Sequence, residues 1–305
     1  MFIIKWHKYM NCKFMGEKKN IAITFGITGN YAFALGNVLI GLKKHSPNLN
    51  ADIIVFEQGV SEKDKILLNS IIPCNFIQYK FPDDIFLTND TLKRFSELTF
   101  SRFECFKLLG QYKNVLWLDV DILIQKDVTE LLNEKSTGIS LLGGQKAGND
   151  FSIEIKGLER EKESFNAGVM YIQDNLTSYQ MQTNWCYQKT IEYAPYLISA
   201  DQGIINLMIK ENNIEVHRLH WNYNFNPACG GDTSKAFILH TYCPEKFWNY
   251  WDIKEWNQNN KQWVKMGGSE YTGKKYSWWD RKFRDVPNPL KRTRSFIKYI
   301  CRGIL

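Results

Sequence analysis

Apolar positions along this chain recur with two periods, and the places where the period changes mark the elements. Ile21 to Phe25 is a short apolar run of the kind that forms a buried strand. Gly26-Ile27-Thr28-Gly29-Asn30-Tyr31 follows as a turn, and Ala32, Leu35, Leu39 and Leu42 then fall on one face of a helix that Ser46-Pro47 ends. Ile53 to Phe56 predicts a second strand, so the chain opens as a βαβ unit of an α/β fold. Ser61 to Ile72 predicts a helix and Asn75 to Tyr79 a strand; Arg102 to Gly110 predicts a helix with Phe103, Phe106 and Leu109 on one side. Val115 to Leu118 reads as a buried strand whose apolar run Ile122 to Ile124 continues.

Further along, Ile139 to Leu142 is strand-like, and Gly143-Gly144 with the polar stretch to Ser164 predicts a long loop of the kind that tends to be functional. Phe165-Asn166-Ala167-Gly168 reads as a small-residue turn leading into a buried strand that ends at Ile172. Ser199-Ala200-Asp201-Gln202 opens a helix carrying Ile204, Ile205, Leu207 and Met208, with Ser199 or Asp201 as its cap. Phe237 to His240 is the last apolar strand.

Two carboxylates interrupt the most apolar of these runs. Asp119 and Asp121 have Trp117, Leu118, Val120 and Ile122 as neighbours, and an uncompensated carboxylate in such a setting costs several kcal/mol. A divalent cation shared by both removes that cost. Hard oxygen ligands imply Mg²⁺ or Mn²⁺, with phosphate oxygens of a substrate completing the shell. The alternative is an acidic pair that caps a turn, which leaves the apolar flanks unexplained. Elsewhere residue type alone decides less. Asn30 and Tyr31 offer a polar contact and a ring to a base, or form a plain turn. Arg102 reads as a surface residue or a substrate contact, Asn166 as a turn residue, and His240 as a structural side chain or a ligand.

Composition narrows the class. Hydrophobic residues at 44% and charged residues at 23% fit a soluble globular protein of 305 residues. No apolar run reaches the roughly 18 residues of a membrane span, and Met1 to Asn20, with five lysines, lacks the pattern of a secretory signal. Seven scattered cysteines without C-x-x-C spacing predict reduced thiols and a cytoplasmic setting. The net charge of +7 equals the excess carried from Arg281 onward, where eight bases face Asp285 alone. A nucleic-acid groove would spread such charge over the fold, so no nucleic-acid partner is expected. Six of the ten tryptophans lie from Trp248 to Trp279. Beyond them Leu290 to Ile304 predicts a basic amphipathic helix, with Arg294, Lys298 and Arg302 on one face. An aromatic belt followed by such a helix suits an anionic membrane surface. The absence of G-x-G-x-x-G and of G-x-x-x-x-G-K-[ST] argues against dinucleotide redox chemistry and P-loop phosphoryl transfer.

Several blocks in order resemble glycosyltransferase family 8, the retaining nucleotide-sugar transferases, from about Ile21 to Trp248. Asp119-Val120-Asp121 is similar to the family's D-x-D motif, Phe165-Asn166-Ala167-Gly168-Val169 to its F-N-[AS]-G block, and Asp201-Gln202 to its D-Q block. His240-Thr241-Tyr242-Cys243-Pro244-Glu245-Lys246-Phe247-Trp248 resembles the closing H-x-x-G-x-x-K-P-W, with Cys243 in place of glycine and Phe247 in place of proline. The resemblance implies a GT-A type α/β fold: a Rossmann-like mixed sheet with helices on both faces, followed here by the C-terminal aromatic and basic membrane-associating segment. The expected division is 1–20 as an N-terminal extension, 21–255 as the catalytic domain and 256–305 as the membrane-binding segment.

It also implies roles. Asp119, Asp121 and His240 would hold Mn²⁺, with Mg²⁺ as the other choice, and Lys246 would neutralise the donor diphosphate. Thr28, Asn30 and Tyr31 would hold uracil, with Thr28 where the family often has Asp, and Arg102 would contact the donor. Asn166 and Asp201 would bond the transferred sugar, and Gln202 would lie on its β face. The expected partners are UDP-galactose or UDP-glucose, a glycan or glycolipid acceptor such as a lipopolysaccharide core, and the inner face of the cytoplasmic membrane. A metal-dependent nucleotidyltransferase and a non-enzymatic basic membrane-binding protein are the alternatives from other classes.

Overall fold

The structure, a computed structural model, describes residues 17–133 and 136–277. Its centre is a seven-stranded sheet of order β3-β2-β1-β4-β7-β6-β8. In chain order the strands are β1 (Lys19–Thr28), β2 (Asp52–Gln58), β3 (Cys74–Gln78), β4 (Tyr112–Leu118), β5 (Ile122–Ile124), β6 (Ile139–Lys146), β7 (Glu163–Gln173), β8 (Val216–Arg218) and β9 (Ile238–His240). The helices are α1 (Ala32–His45), α2 (Glu62–Ile71), α3 (Asn89–Arg94), α4 (Glu104–Leu108), α5 (Thr129–Asn133), α6 (Tyr179–Tyr193), α7 (Asp201–Glu211) and α8 (Lys254–Lys265).

Strand alternation supplies two cores. Ile23, Phe25, Leu116 and Leu118 point to one face and pack with α1 and α8, whereas Ala22, Val115, Trp117 and Met170 point to the other and pack with α4, α6 and α7. A sheet covered on both sides explains why its strands read as continuous apolar runs. This is the GT-A type mixed sheet: β1 runs parallel to β2 and to β4, and β4 pairs antiparallel with β7. After β1 the chain crosses to β2 on one side, while β4 enters on the other. The carboxyl ends of β1 and β4 therefore flank a switch point, where α/β sheets open a crevice.

Several expectations are corrected. The first strand starts at Lys19, not Ile21, so Lys19 and Asn20 belong to the sheet, and it runs on through the predicted turn to Thr28. Arg102 closes a 3₁₀ stretch, Glu97–Phe103, ahead of α4 and does not begin a helix. Ile122 to Ile124 does not prolong β4. It leaves the main sheet and pairs antiparallel with β9 in a separate two-stranded sheet, with Ile122 opposite His240. The predicted turn Phe165 to Gly168 lies inside β7, and part of the predicted long loop is strand, since Gln145 and Lys146 pair with Ser164 and Glu163.

The aromatic C-terminal stretch is also not the membrane-facing belt it resembles, as far as Trp263. Every residue of α1 from Ala32 to Leu42 is buried, and a helix apolar on all sides needs cover on the side away from the sheet. α8 supplies it. Trp256 and Trp263 are buried, Asn37 Nδ2 donates to the Trp256 carbonyl at 2.9 Å, and Trp263 packs so closely on Gly36 that a Cβ there would stand 2.4 Å from its ring. Each buried indole contributes at most roughly 4–6 kcal/mol at about 25 cal/mol per Å². α8 is thus packed into the same core as the sheet, on the side of α1, and the expected boundary at residue 256 falls inside that core. The predicted helix Leu290 to Ile304, like Trp278 and Trp279, lies outside the described residues. Among the described residues no helix is long and apolar enough to cross a membrane.

Candidate active site

A cavity of about 450 Å³ opens at the carboxyl ends of β1 and β4. Asp119 follows β4 directly, and its N–H donates to the Gly168 carbonyl of β7 at 2.8 Å. Asp121 precedes β5, and its carbonyl accepts from the N–H of Thr241 at 2.9 Å. Because Ile122 pairs with His240, the imidazole arrives beside both carboxylates: His240 Nε2 is 3.2 Å from Asp121 Oδ1 and 3.6 Å from Asp119 Oδ2. One ligand atom from each of the three lies within 4.8 Å of the others. These residues could hold a metal ion.

Their surroundings fit one. His240 Nε2 is buried with no hydrogen-bond partner, and its other nitrogen faces Asn224 Oδ1 at 2.8 Å. A ring nitrogen left open toward two carboxylates is the arrangement a cation completes. Gly168 makes the space, because a Cβ there would meet His240 Cε1 at 2.0 Å and Asp119 Oδ2 at 2.8 Å. Two basic side chains meet the acids here: Arg102 pairs with Asp119 and Asp201, and Lys246 with Asp121.

Those cations are held differently. Arg102 is 4% exposed, so it is not a surface residue. Its guanidinium reaches Asp119 Oδ1 at 2.5 Å, contacts Asp201 Oδ2, and lies over the Trp117 ring at 5.1 Å. Burial disfavours its charge, but Asp119 and Asp201 outweigh that and raise its pKa. Trp117 Nε1 donates to the same Asp119 oxygen at 2.8 Å. Lys246 sits on Asp121 Oδ2 and donates to the Thr241 carbonyl at 2.6 Å. Burial works against the Asp121 carboxylate, yet Lys246 and His240 hold it well below the usual range. Asp201 goes the other way: burial pushes it up to about 7, against the pull of Arg102.

On the opposite wall Asn166 and Gln202 meet, Nδ2 to Oε1 at 3.2 Å. Asp201 starts α7 at a strained point, with Ala200 at φ 49° and no side-chain cap, so the predicted cap by Ser199 or Asp201 is not formed. Ser199 Oγ bonds Asp150 instead, at 2.6 Å. Thr28 and Tyr31 line the cavity, and the Tyr31 ring is 40% exposed and 5.8 Å from that of Trp248. Asn30 is exposed and outside the lining. Its turn packs its Gly29 side against Gly59, where a Cβ would fall 2.1 Å from the carbonyl oxygen, and this leaves Asn30 outward. The two motif departures are absorbed. Cys243 Sγ meets Asn226 Nδ2 at 3.5 Å, and Phe247 is buried and stacked on Trp256 at 6.3 Å.

The model of glycosyl transferase family 8 matches residues 22–252, three quarters of the chain. The chain belongs to glycosyltransferase family 8. A Haemophilus influenzae (strain KW20 / Rd) protein assigned as a glycosyltransferase is 22% identical over 253 residues, covering 74% of this chain and 72% of that protein. Among solved structures, the galactosyltransferase LgtC with donor and acceptor sugar analogues superposes with a TM-score of 0.60 at 20% identity, over 86% of this chain and 99% of LgtC. The glycosyltransferase GlyE of Streptococcus pneumoniae TIGR4 gives 0.53 at 18% identity, over 84% and 67%. These likenesses carry the GT-A fold, and the family makes the chain a glycosyltransferase.

Sequence reasoning missed four residues around the site: Trp117, Asp150, Ser199 as a partner of Asp150, and Asn224. Trp117 was visible only as an apolar strand residue. Asp150 ends a polar stretch, and Asn224 is one of three asparagines alternating with aromatics from Trp221 to Asn226, where nothing in the pattern tells which one is buried.

Proposed function

We propose that this chain is a retaining, Mn²⁺-dependent hexosyltransferase that moves galactose or glucose from its UDP-sugar to a saccharide acceptor, a lipopolysaccharide core or another cell-surface glycan. The observation that carries it is the convergence of Asp119, Asp121 and His240 on one point of the cavity wall, with an exposed Tyr31 ring at the β1 end. LgtC, the galactosyltransferase with donor and acceptor sugar analogues, supports a sugar donor and a sugar acceptor here.

Asp119, Asp121 and His240 would hold the cation, which when bound supplies positive charge to the donor's diphosphate. Tyr31 offers its face to uracil, and Thr28 lines the same end; Asn30, outside the cavity, is not assigned a contact. Lys246 Nζ, on Asp121, exchanges part of that contact for phosphate oxygens and stabilises charge where it develops. Arg102 fixes Asp119 and Asp201 relative to each other, joining the diphosphate side to the sugar side. Asn166, Asp201 and Gln202 form the sugar wall. Gln202 is a poor nucleophile, and its carbonyl oxygen already accepts from Asn166 and, at 3.3 Å, from the Ala167 N–H. The acceptor hydroxyl therefore attacks the anomeric carbon on the face that UDP leaves. The C–O bond to UDP breaks, the bond to the acceptor oxygen forms, and the acceptor proton goes to the departing phosphate. Family membership favours this over nucleotidyl transfer.

Membrane association is assigned to the basic sequence after Pro289, at roughly 1 kcal/mol for each base near an anionic surface. With it we assign the protein to the cytoplasm, on the inner face of the membrane. The deciding experiment is a screen of UDP-sugars for hydrolysis with and without Mn²⁺. Cation-dependent release of UDP from one hexose donor is expected, and turnover unchanged by a chelator would overturn the assignment. Deleting the residues after Pro289 is expected to abolish sedimentation with anionic vesicles, and retained sedimentation would remove the anchor.

A further inference from the structure

A continuous run of side-chain hydrogen bonds leads away from the cation site and ends on a buried carboxylate. His240 Nδ1 faces Asn224 Oδ1 at 2.8 Å, and Asn224 Nδ2 donates to Asn166 Oδ1 at 2.8 Å. Asn166 Nδ2 donates to Gln202 Oε1 at 3.2 Å, and Gln202 Nε2 donates to Asp150 Oδ1 at 3.1 Å. His240, Asn224, Asn166 and Asp150 are each at most 5% exposed. An amide has one donating and one accepting end, so a single fixed point sets the direction of the whole run. The backbone of β7 provides two. The Gly168 N–H donates to Asn166 Oδ1 at 3.1 Å, and the Ala167 N–H donates to Gln202 Oε1 at 3.3 Å. Asn166 Oδ1 is thereby an acceptor, Asn224 must give it an N–H, and the Asn224 oxygen must turn to the imidazole.

We propose that Asn224 is a positioning residue of the transferase: it keeps the hydrogen of His240 on Nδ1, leaving Nε2 for the cation, and ties that ring to Asn166 on the sugar wall. This rests on the cation site proposed above. The position of the hydrogen is contested in this fold. Asp119 and Asp121 stand 3.6 Å and 3.2 Å from Nε2 and attract a hydrogen there. A hydrogen on Nε2 would block the lone pair that a metal needs, and partners of metal-binding histidines exist to prevent that. Asn224 tips the balance, with its own orientation fixed by the strand that also carries Gly168.

The test is calorimetric titration of the full chain with Mn²⁺ alone, together with ¹⁵N NMR of the imidazoles, few enough at five histidines to assign through a His240→Gln control. Asn224→Leu is expected to weaken Mn²⁺ binding by about 10–100-fold. Asn224→Asp, whose carboxylate still accepts from Nδ1, is expected to lose less than about tenfold, below the range for a lost partner. Having no N–H for Asn166, it should nevertheless lose turnover at saturating Mn²⁺. In the wild type Nδ1 of His240 is expected to carry a hydrogen with or without metal. A bare Nδ1, unchanged Mn²⁺ affinity in Asn224→Leu, or equal loss in both variants would each overturn the role of Asn224. Should Asn224→Leu not fold, Asn224→Asp and the ring nitrogens decide. Wild-type protein that binds no Mn²⁺ would instead overturn the cation site, and this proposal with it.

Discussion

The two walls of the cavity are built on opposite principles. On one, Asp119 pairs with Arg102 and Asp121 with Lys246, and His240 Nε2 points at the two carboxylates without a hydrogen-bond partner. On the other, Asn166, Gln202 and Asn224 satisfy one another and the backbone of β7 through neutral hydrogen bonds. On the charged wall Asp119, Asp121 and His240 could hold a metal ion. The amide wall is already set before a sugar arrives, which is the preorganisation that differential binding of a transition state requires. A donor made of a charged diphosphate joined to a neutral sugar, as proposed above, would use both.

The largest break should come from the charged side. Asp121→Asn removes a ligand and the partner of Lys246, and Mn²⁺ affinity is expected to fall by at least about 100-fold, beyond the cost of losing a partner of a ligand. Calorimetry reads this directly, and a fall below tenfold would show that Asp121 is not a ligand. Next comes the seam between the walls. Gly168→Ala puts a methyl where His240 stands, and since neither β7 nor β9 can yield, destabilisation of about 1–3 kcal/mol and loss of Mn²⁺ binding are expected. Denaturant unfolding checks the first, and a variant as stable as wild type would mean the ring moves freely.

The smallest effect is a difference of sign between acids of the two walls. Asp201 has its pKa pushed from 3.8 up to about 7. Below 3.8 its carboxyl is protonated in folded and unfolded chains alike; between 3.8 and about 7 only the folded chain keeps the proton, so this group's contribution to stability is lost as pH rises through that window. Asp121, held below its ordinary value of 3.8, contributes stability above that value that is lost as pH falls. In metal-free protein Asp201→Asn is therefore expected to flatten the decline in melting temperature toward neutral pH. A pH profile superimposable on wild type would show that Asp201 titrates normally.

How much of this was legible depends on what surrounds each residue in the chain. Asp119 and Asp121 declared themselves because charge inside an apolar run needs a reason. The family resemblance brought His240 and Lys246 to the same place, although a strand-end histidine is ambiguous on its own. The departure of Ile122 to Ile124 into a second sheet left no trace, since an unbroken apolar run looks the same whichever strand it pairs with. Trp256 and Trp263 were misread for a related reason: composition reports apolar area, not what covers it, and their cover is the all-round buried α1. Asp150 ends a polar stretch and Asn224 is one of three alternating asparagines, and only their neighbours in space distinguish them.

The short pairing of β5 with β9 has a consequence for how the protein is made. Both aspartates leave the ribosome more than a hundred residues before Ile238 and His240 can dock beside them. A nascent chain that stops short of β9 thus exposes two acids with no imidazole to close the set, so under the proposed function it would lack the complete cation site. A stalled or proteolysed fragment would therefore be without glycosyltransferase activity, even with most of its sheet in place.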